Sequence, residues 1–190
     1  MGEQFILKPT PFGKPVTVVV DNHAITTLQG AKSRSMAFKD VESAYSWIHR
    51  YGGVLSFVGR YGGKIEIAGV WGLFIPKSEG NTRAYFRASS AALNAYAAAR
   101  PGAEVHVGRS VRDNRKTMAF TLVATILIGA VTVLRDGRVE PFEYAAVPIM
   151  LVAVGYVGLR RFNVVKQPPR HPASAEAAEC AQAADEIVLS

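Results

Sequence analysis

The chain has 190 residues, 49% of them hydrophobic and 19% charged, with a formal net charge of +7; that is room for one modest globular domain and something besides. Its charge is unevenly placed, with sixteen Lys/Arg and eight Asp/Glu before residue 117 and six against seven from there on. One cysteine, Cys180, excludes an intrachain disulfide and any metal site built on two cysteine ligands.

The first residues, Met1-Gly2-Glu3-Gln4-Phe5, lack the charged-then-apolar pattern of a cleavable signal. Residues 15–28 (PVTVVVDNHAITTL) are rich in Val, Thr and Ile and read as strand, with a turn or bulge at Asp21-Asn22-His23. Residues 29–35 (QGAKSRS) read as a polar, basic turn, and 35–47 (SMAFKDVESAYSW) begin by alternating. Two more short strands are expected at 52–57 and 64–70. Each follows the same tripeptide, Tyr51-Gly52-Gly53 or Tyr61-Gly62-Gly63, whose glycines suit positive-φ turns in a meander. Residues 73–76 (LFIP) look like another strand ending at proline. Residues 82–100 are the long helical stretch, with Phe86, Ser89, Leu93, Tyr96 and Ala97 near one face and Pro101-Gly102 as the stop.

Residues 117–134 (TMAFTLVATILIGAVTVL) carry no charge, and as a helix they would span roughly 27 Å, close to a hydrocarbon core. Residues 144–159 (YAAVPIMLVAVGYVGL) form a second uncharged run. Only nine residues join the two, which predicts a transmembrane hairpin of two antiparallel helices. Arg109, Arg112, Arg115 and Lys116 precede it, and Arg160 and Arg161 follow it. As membrane-interface anchors they would place both termini in the cytoplasm, with the protein integral to a bacterial inner membrane. The resulting division is a domain at 1–108, a hairpin with basic flanks at 109–170, and an acidic, Ala-rich tail at 171–190. For the tail, disorder is favoured over a short helix docked on a partner or on its own chain.

The strand pairs, the SMAFKDVESAYSW segment, the LFIPKS strand and the helix ending LNAYAAARPG together resemble a bacterial pleckstrin-homology-like domain over residues 12–101. The resemblance implies an α+β fold: a small, strongly bent antiparallel sheet closed by one C-terminal helix, here followed by the two-helix hairpin. It also implies that Lys32, Arg34 and Lys39, around an early hairpin turn, contact phosphorylated lipid headgroups.

No other chemistry stands out. His23, His49, His106 and His171 show no metal-binding spacing, so no metal is expected. The glycine runs make neither a phosphate loop nor a dinucleotide fingerprint, so no cofactor is expected, and there is no nucleophile elbow. Asp21, Asp40, Glu42 and Glu66 have no spacing that would converge them. Aromatic residues such as Trp47, Tyr61 and Phe86 are explained by packing, without nucleic acid. The expectation is a non-enzymatic, membrane-anchored interaction or scaffold protein, a subunit or assembly factor of a membrane complex. Its partners would be membrane lipids and another protein or further copies of itself. The alternatives are an anionic-lipid-binding, envelope-regulating module and a membrane-bound enzyme with an unrecognised site.

Overall fold

The computed structural model describes residues 2–8, 14–49, 52–70, 79–136 and 167–186. They fall into two units, Met1–Gly108 with Pro168–Ser190, and Arg109–Gln167.

The first unit opens with β1 (Glu3–Leu7), β2 (Val16–Val20), β3 (Ala24–Gln29) and β4 (Lys32–Ala37), an antiparallel sheet in the order β1-β2-β3-β4. The β-branched run of β2 buries Val18 and Val20 on one face. The break inside residues 15–28 is a tight turn. Asp21 Oδ1 accepts from the backbone N–H groups of His23 and Ala24, at 2.7 Å each, and reverses the chain into β3. The basic segment is shorter as a turn than the sequence suggests, since Gly30, with φ +59°, makes the reversal and Lys32 already belongs to β4.

A 3₁₀ turn at Phe38–Asp40 then splits residues 35–47, and β5 (Val41–His49) starts a second sheet. With β6 (Gly52–Gly59), β7 (Lys64–Val70), β8 (Glu104–Val107) and β9 (Arg170–Pro172), it runs in the order β7-β6-β5-β8-β9. The single bent sheet expected from sequence is thereby corrected to two sheets of four and five strands. The physical cause is Phe38, whose fully buried ring takes the chain out of the first sheet and into the core. There it lies against Phe57 and Tyr96, with ring centroids 5.8 and 6.1 Å away.

Helix α1 (Glu79–Ala99) covers this core with Tyr85, Phe86, Leu93 and Tyr96. It ends where the sequence predicts, at Pro101-Gly102, with Gly102 at φ +78°. Arg100 then donates to the Val41 carbonyl at 2.6 Å, tying the helix end to β5. The strand expected at 73–76 lies outside the described residues.

Through residue 186 the tail is ordered. After β9 it forms α3 (Ala173–Glu186), which seats Ala173, Ala177, Cys180 and Ala184 in the core. An Ala-rich helix with no large apolar side chain looks unable to fold by itself, and here it borrows a finished surface.

In the second unit, α2 (Val111–Asp136) starts with the Ser110 hydroxyl accepting from the Asp113 N–H at 3.0 Å. Among the described residues no helix is long and apolar enough to cross a membrane. The first expected span, 117–134, is a stretch of α2, whose first turns carry Arg112, Asp113, Asn114, Arg115 and Lys116. Within it the Thr121 hydroxyl donates to the Thr117 carbonyl. The second expected span, 144–159, lies outside the described residues. The described fold therefore contains no transmembrane hairpin. The integral inner-membrane location with both termini inside goes with it, because the basic flanks point to an orientation only as the ends of such a hairpin.

Candidate anion-binding cleft

Strands β3 and β4 form a hairpin whose register pairs Thr27 with Arg34 and Gln29 with Lys32. Side chains two apart on a strand share a face. These four residues therefore stand together on one side, while Thr26 and Ser35 share a 2.9 Å hydroxyl contact on the other. Opposite that face runs the start of β7, from the second sheet. Lys64, Ile65 and Glu66 close a cleft of about 350 Å³ with Val16, Thr27, Gln29, Lys32 and Arg34.

The cleft is electrostatically lopsided. Lys32, Arg34 and Lys64 bring three cations, and Glu66 brings one carboxylate. The Lys64 ammonium lies 2.8 Å from Glu66 Oε1, which also accepts from the Ser56 hydroxyl at 3.2 Å. Glu66 thus fixes Lys64 at the wall. Among the described residues no other carboxylate lines the cleft beside Lys32 and Arg34, which are both exposed. The Gln29 amide N–H donates to the Lys14 carbonyl at 3.4 Å. A ligand here would meet a guanidinium fork, two ammonium groups and a hydroxyl, a set that suits a multiply charged oxyanion.

Of the residues expected to bind a headgroup, Lys32 and Arg34 meet in this cleft. Lys39 does not; it is exposed on the 3₁₀ turn that leaves β4 and is absent from the lining. Lys64 was missed in the sequence, though its place directly after Tyr61-Gly62-Gly63 marks it as the first residue of a strand. The expected interface anchors Arg109, Arg112, Arg115 and Lys116 fall in the second unit. There Arg109 donates to the Thr117 hydroxyl at 3.3 Å, and Arg112, Arg115 and Lys116 are exposed. Arg160 and Arg161 lie outside the described residues.

Two other places hold polar groups. A larger trough of about 730 Å³ lies between α1, α3 and the β2–β3 turn. Its lining is rich in alanine and mixes Glu3, Asp21 and Asp185 with Arg87. Deep in the core, Glu176 of α3 is 4% exposed and accepts the Ser46 hydroxyl at 2.5 Å. Nearby, burial first of all, then Glu176 and Glu179, pushes the Cys180 thiol up to about 12. Among the described residues no group of three or more His, Cys, Asp or Glu could hold a metal ion. No family model, curated protein or solved structure matches the chain.

Proposed function

We propose that this chain is a non-enzymatic interaction module that holds a phosphate-bearing anion in the cleft between β3–β4 and β7. The observation that carries this reading is the convergence of Lys32, Arg34 and Lys64 from two sheets onto one small volume that has a single carboxylate. Bringing three cations together costs self-repulsion, which an anion placed between them relieves. The resemblance of residues 12–101 to pleckstrin-homology-like domains points the same way. In that family, basic residues of an early strand-loop-strand element meet phosphorylated headgroups.

The phosphate has two possible sources, a lipid headgroup or a small soluble phosphate, and one titration design separates them. Inorganic pyrophosphate is titrated calorimetrically into the full chain. In parallel, the chain is sedimented with phosphatidylcholine vesicles with and without a phosphoinositide. Arg34→Ala is expected to weaken either interaction about tenfold or more, the scale of one charge-assisted hydrogen bond. Lys39→Ala should change it less than about twofold, since an exposed charge outside the cleft acts only through screened solvent. Arg34-dependent binding of pyrophosphate without vesicle binding assigns a soluble ligand; Arg34-dependent vesicle binding assigns the headgroup. Equal sensitivity to Arg34→Ala and Lys39→Ala, or no binding of either probe, overturns the reading.

A further inference from the structure

We infer that β9 and α3 form a strap that opens while the rest of its unit stays folded. The first observation is where the bulk lies. Among the described residues the large, fully buried side chains, such as Leu55, Phe57, Ile67, Tyr85 and Leu93, all precede residue 109. Among the described residues the strap adds the small side chains of Ala173, Ala177, Cys180 and Ala184 to that core, with Glu176 buried beside them. The surface it covers is thus held together by residues the strap does not supply.

The second observation is how short β9 is, although just before it the Pro169 carbonyl accepts from the Val107 N–H at 2.8 Å. It is an edge strand of three residues, paired to β8 through Glu104–Pro172, Val105–His171 and His106–Arg170. Pro172 has no N–H to give to that ladder. The flanking Arg170–Glu104 ion pair, at 3.2 Å, is more than half exposed on both sides, the kind that contributes least. Beyond β9 the attachment continues through the Ala173 N–H to the Ala103 carbonyl at 2.9 Å and the Ser90 hydroxyl to the Ala177 carbonyl, also at 2.9 Å.

The third observation is a cost built into the closed state. Glu176 Oε1 has the Ser46 hydroxyl, but Oε2 is fully buried with no hydrogen-bond partner among the described residues. A carboxylate taken out of water with half of its acceptor capacity unused disfavours closure. Opening returns it to solvent and bares the outer edge of β8, Ser46 and Ser90. Small buried side chains, a short edge pairing and an under-satisfied acid together describe a segment whose local opening lies well below global unfolding. None of the cleft residues belongs to the strap, so this inference stands apart from the anion-binding reading.

The chain supplies its own reporter. Cys180 is its only cysteine and is 2% exposed on the docked face of α3. Labelling of Cys180 with a thiol reagent in the full-length native protein is measured against hydrogen exchange of the β6 amides, which report global unfolding. Rates are normalised to those of the denatured chain. The expected result is protection of Cys180 at least about thirtyfold lower than that of β6, unchanged by low denaturant. Glu176→Gln, which removes the buried charge and keeps the acceptor for Ser46, should slow labelling several-fold. Equal protection of Cys180 and β6 with the same denaturant dependence would make α3 an integral layer and overturn the inference. Faster labelling in Glu176→Gln would overturn it as well, because the carboxylate would then be what holds the strap closed.

Discussion

Tyr51-Gly52-Gly53 and Tyr61-Gly62-Gly63 have the same three residues ten positions apart, and the fold uses them for different ends. Gly62 is a turn residue. It sits at φ +78° with open space where a side chain would go, its N–H bonded to the Gly59 carbonyl at 3.0 Å, and it turns β6 into β7. Tyr61 beside it is 94% exposed. Gly53 lies inside β6, paired across the ladder with Gly69 of β7, and the ring of Tyr85 from α1 lies over both. A Cβ on Gly53 would meet Tyr85 Cζ and Oη at 2.7 Å, and one on Gly69 would meet Tyr85 Cβ and Cγ at 2.8 Å. Tyr85 has no exposed surface and no room to retreat, and the same burial raises its hydroxyl pKa far above the ordinary value. One tripeptide serves backbone conformation and the other serves close approach. Sequence alone shows glycine in both, and only the element that crosses it tells which.

The sharpest way to break this contrast is Gly53→Ala. It should destabilise the first unit by about 2–3 kcal/mol, the scale of overpacking a fixed core, measured as a shift in the urea midpoint with unchanged slope. Placing the same change in a Tyr85→Ala background separates the two explanations for the glycine. With the ring gone, Gly53→Ala should cost close to nothing, so the double-mutant cycle returns most of the single-mutant cost as coupling. If the cost persists without Tyr85, the glycine is required by the backbone of β6, and the two tripeptides are alike after all.

The same reasoning explains what was legible in the sequence. The helix at 82–100 was readable because its apolar face repeats at helical spacing and Pro101-Gly102 stops it; the structure extends it back only to Glu79. Strands 15–28 and 64–70 were readable from β-branched residues and turn chemistry, which act within a few positions. Strand β8 was not, being four residues long and paired in parallel with a strand some sixty residues earlier. Lys64 is not legible as a basic contact, because it joins Lys32 and Arg34 only through the meeting of two sheets. Lys39 was included because it is near them in sequence, although a 3₁₀ turn carries it away. Residues 117–134 misled for the opposite reason. Local hydropathy is strong there, yet among the described residues no helix is long and apolar enough to cross a membrane. Glu176 had no local mark at all, since an acid on an Ala-rich helix is ordinarily solvated.

A smaller test addresses the other tripeptide. Gly62→Ala places a Cβ in a left-handed conformation with no neighbour to clash with, so the whole cost is backbone strain, about 1 kcal/mol. Because no side chain opposes it, Gly62→Asn should recover much of that loss, asparagine being the residue that tolerates this region best. Gly53→Asn would recover nothing. A thermal-unfolding comparison of the two asparagine variants therefore distinguishes a turn glycine from a packing glycine without any knowledge of function.

The smallest effect is expected one residue later. Gly63 lacks the positive φ of Gly62, and a Cβ there would find only the Met36 terminal methyl, at 3.6 Å, an ordinary contact. Gly63→Ala should thus stay within about 0.5 kcal/mol of the parent. A slight gain is even consistent with its place just before β7, because alanine has less unfolded-state freedom to lose than glycine. If urea unfolding shows a loss above 1 kcal/mol, the Gly59 N–H to Gly63 carbonyl bond of 2.8 Å depends on a conformation that alanine cannot adopt. The meaning of the second tripeptide would then extend over both of its glycines, instead of resting on Gly62 alone.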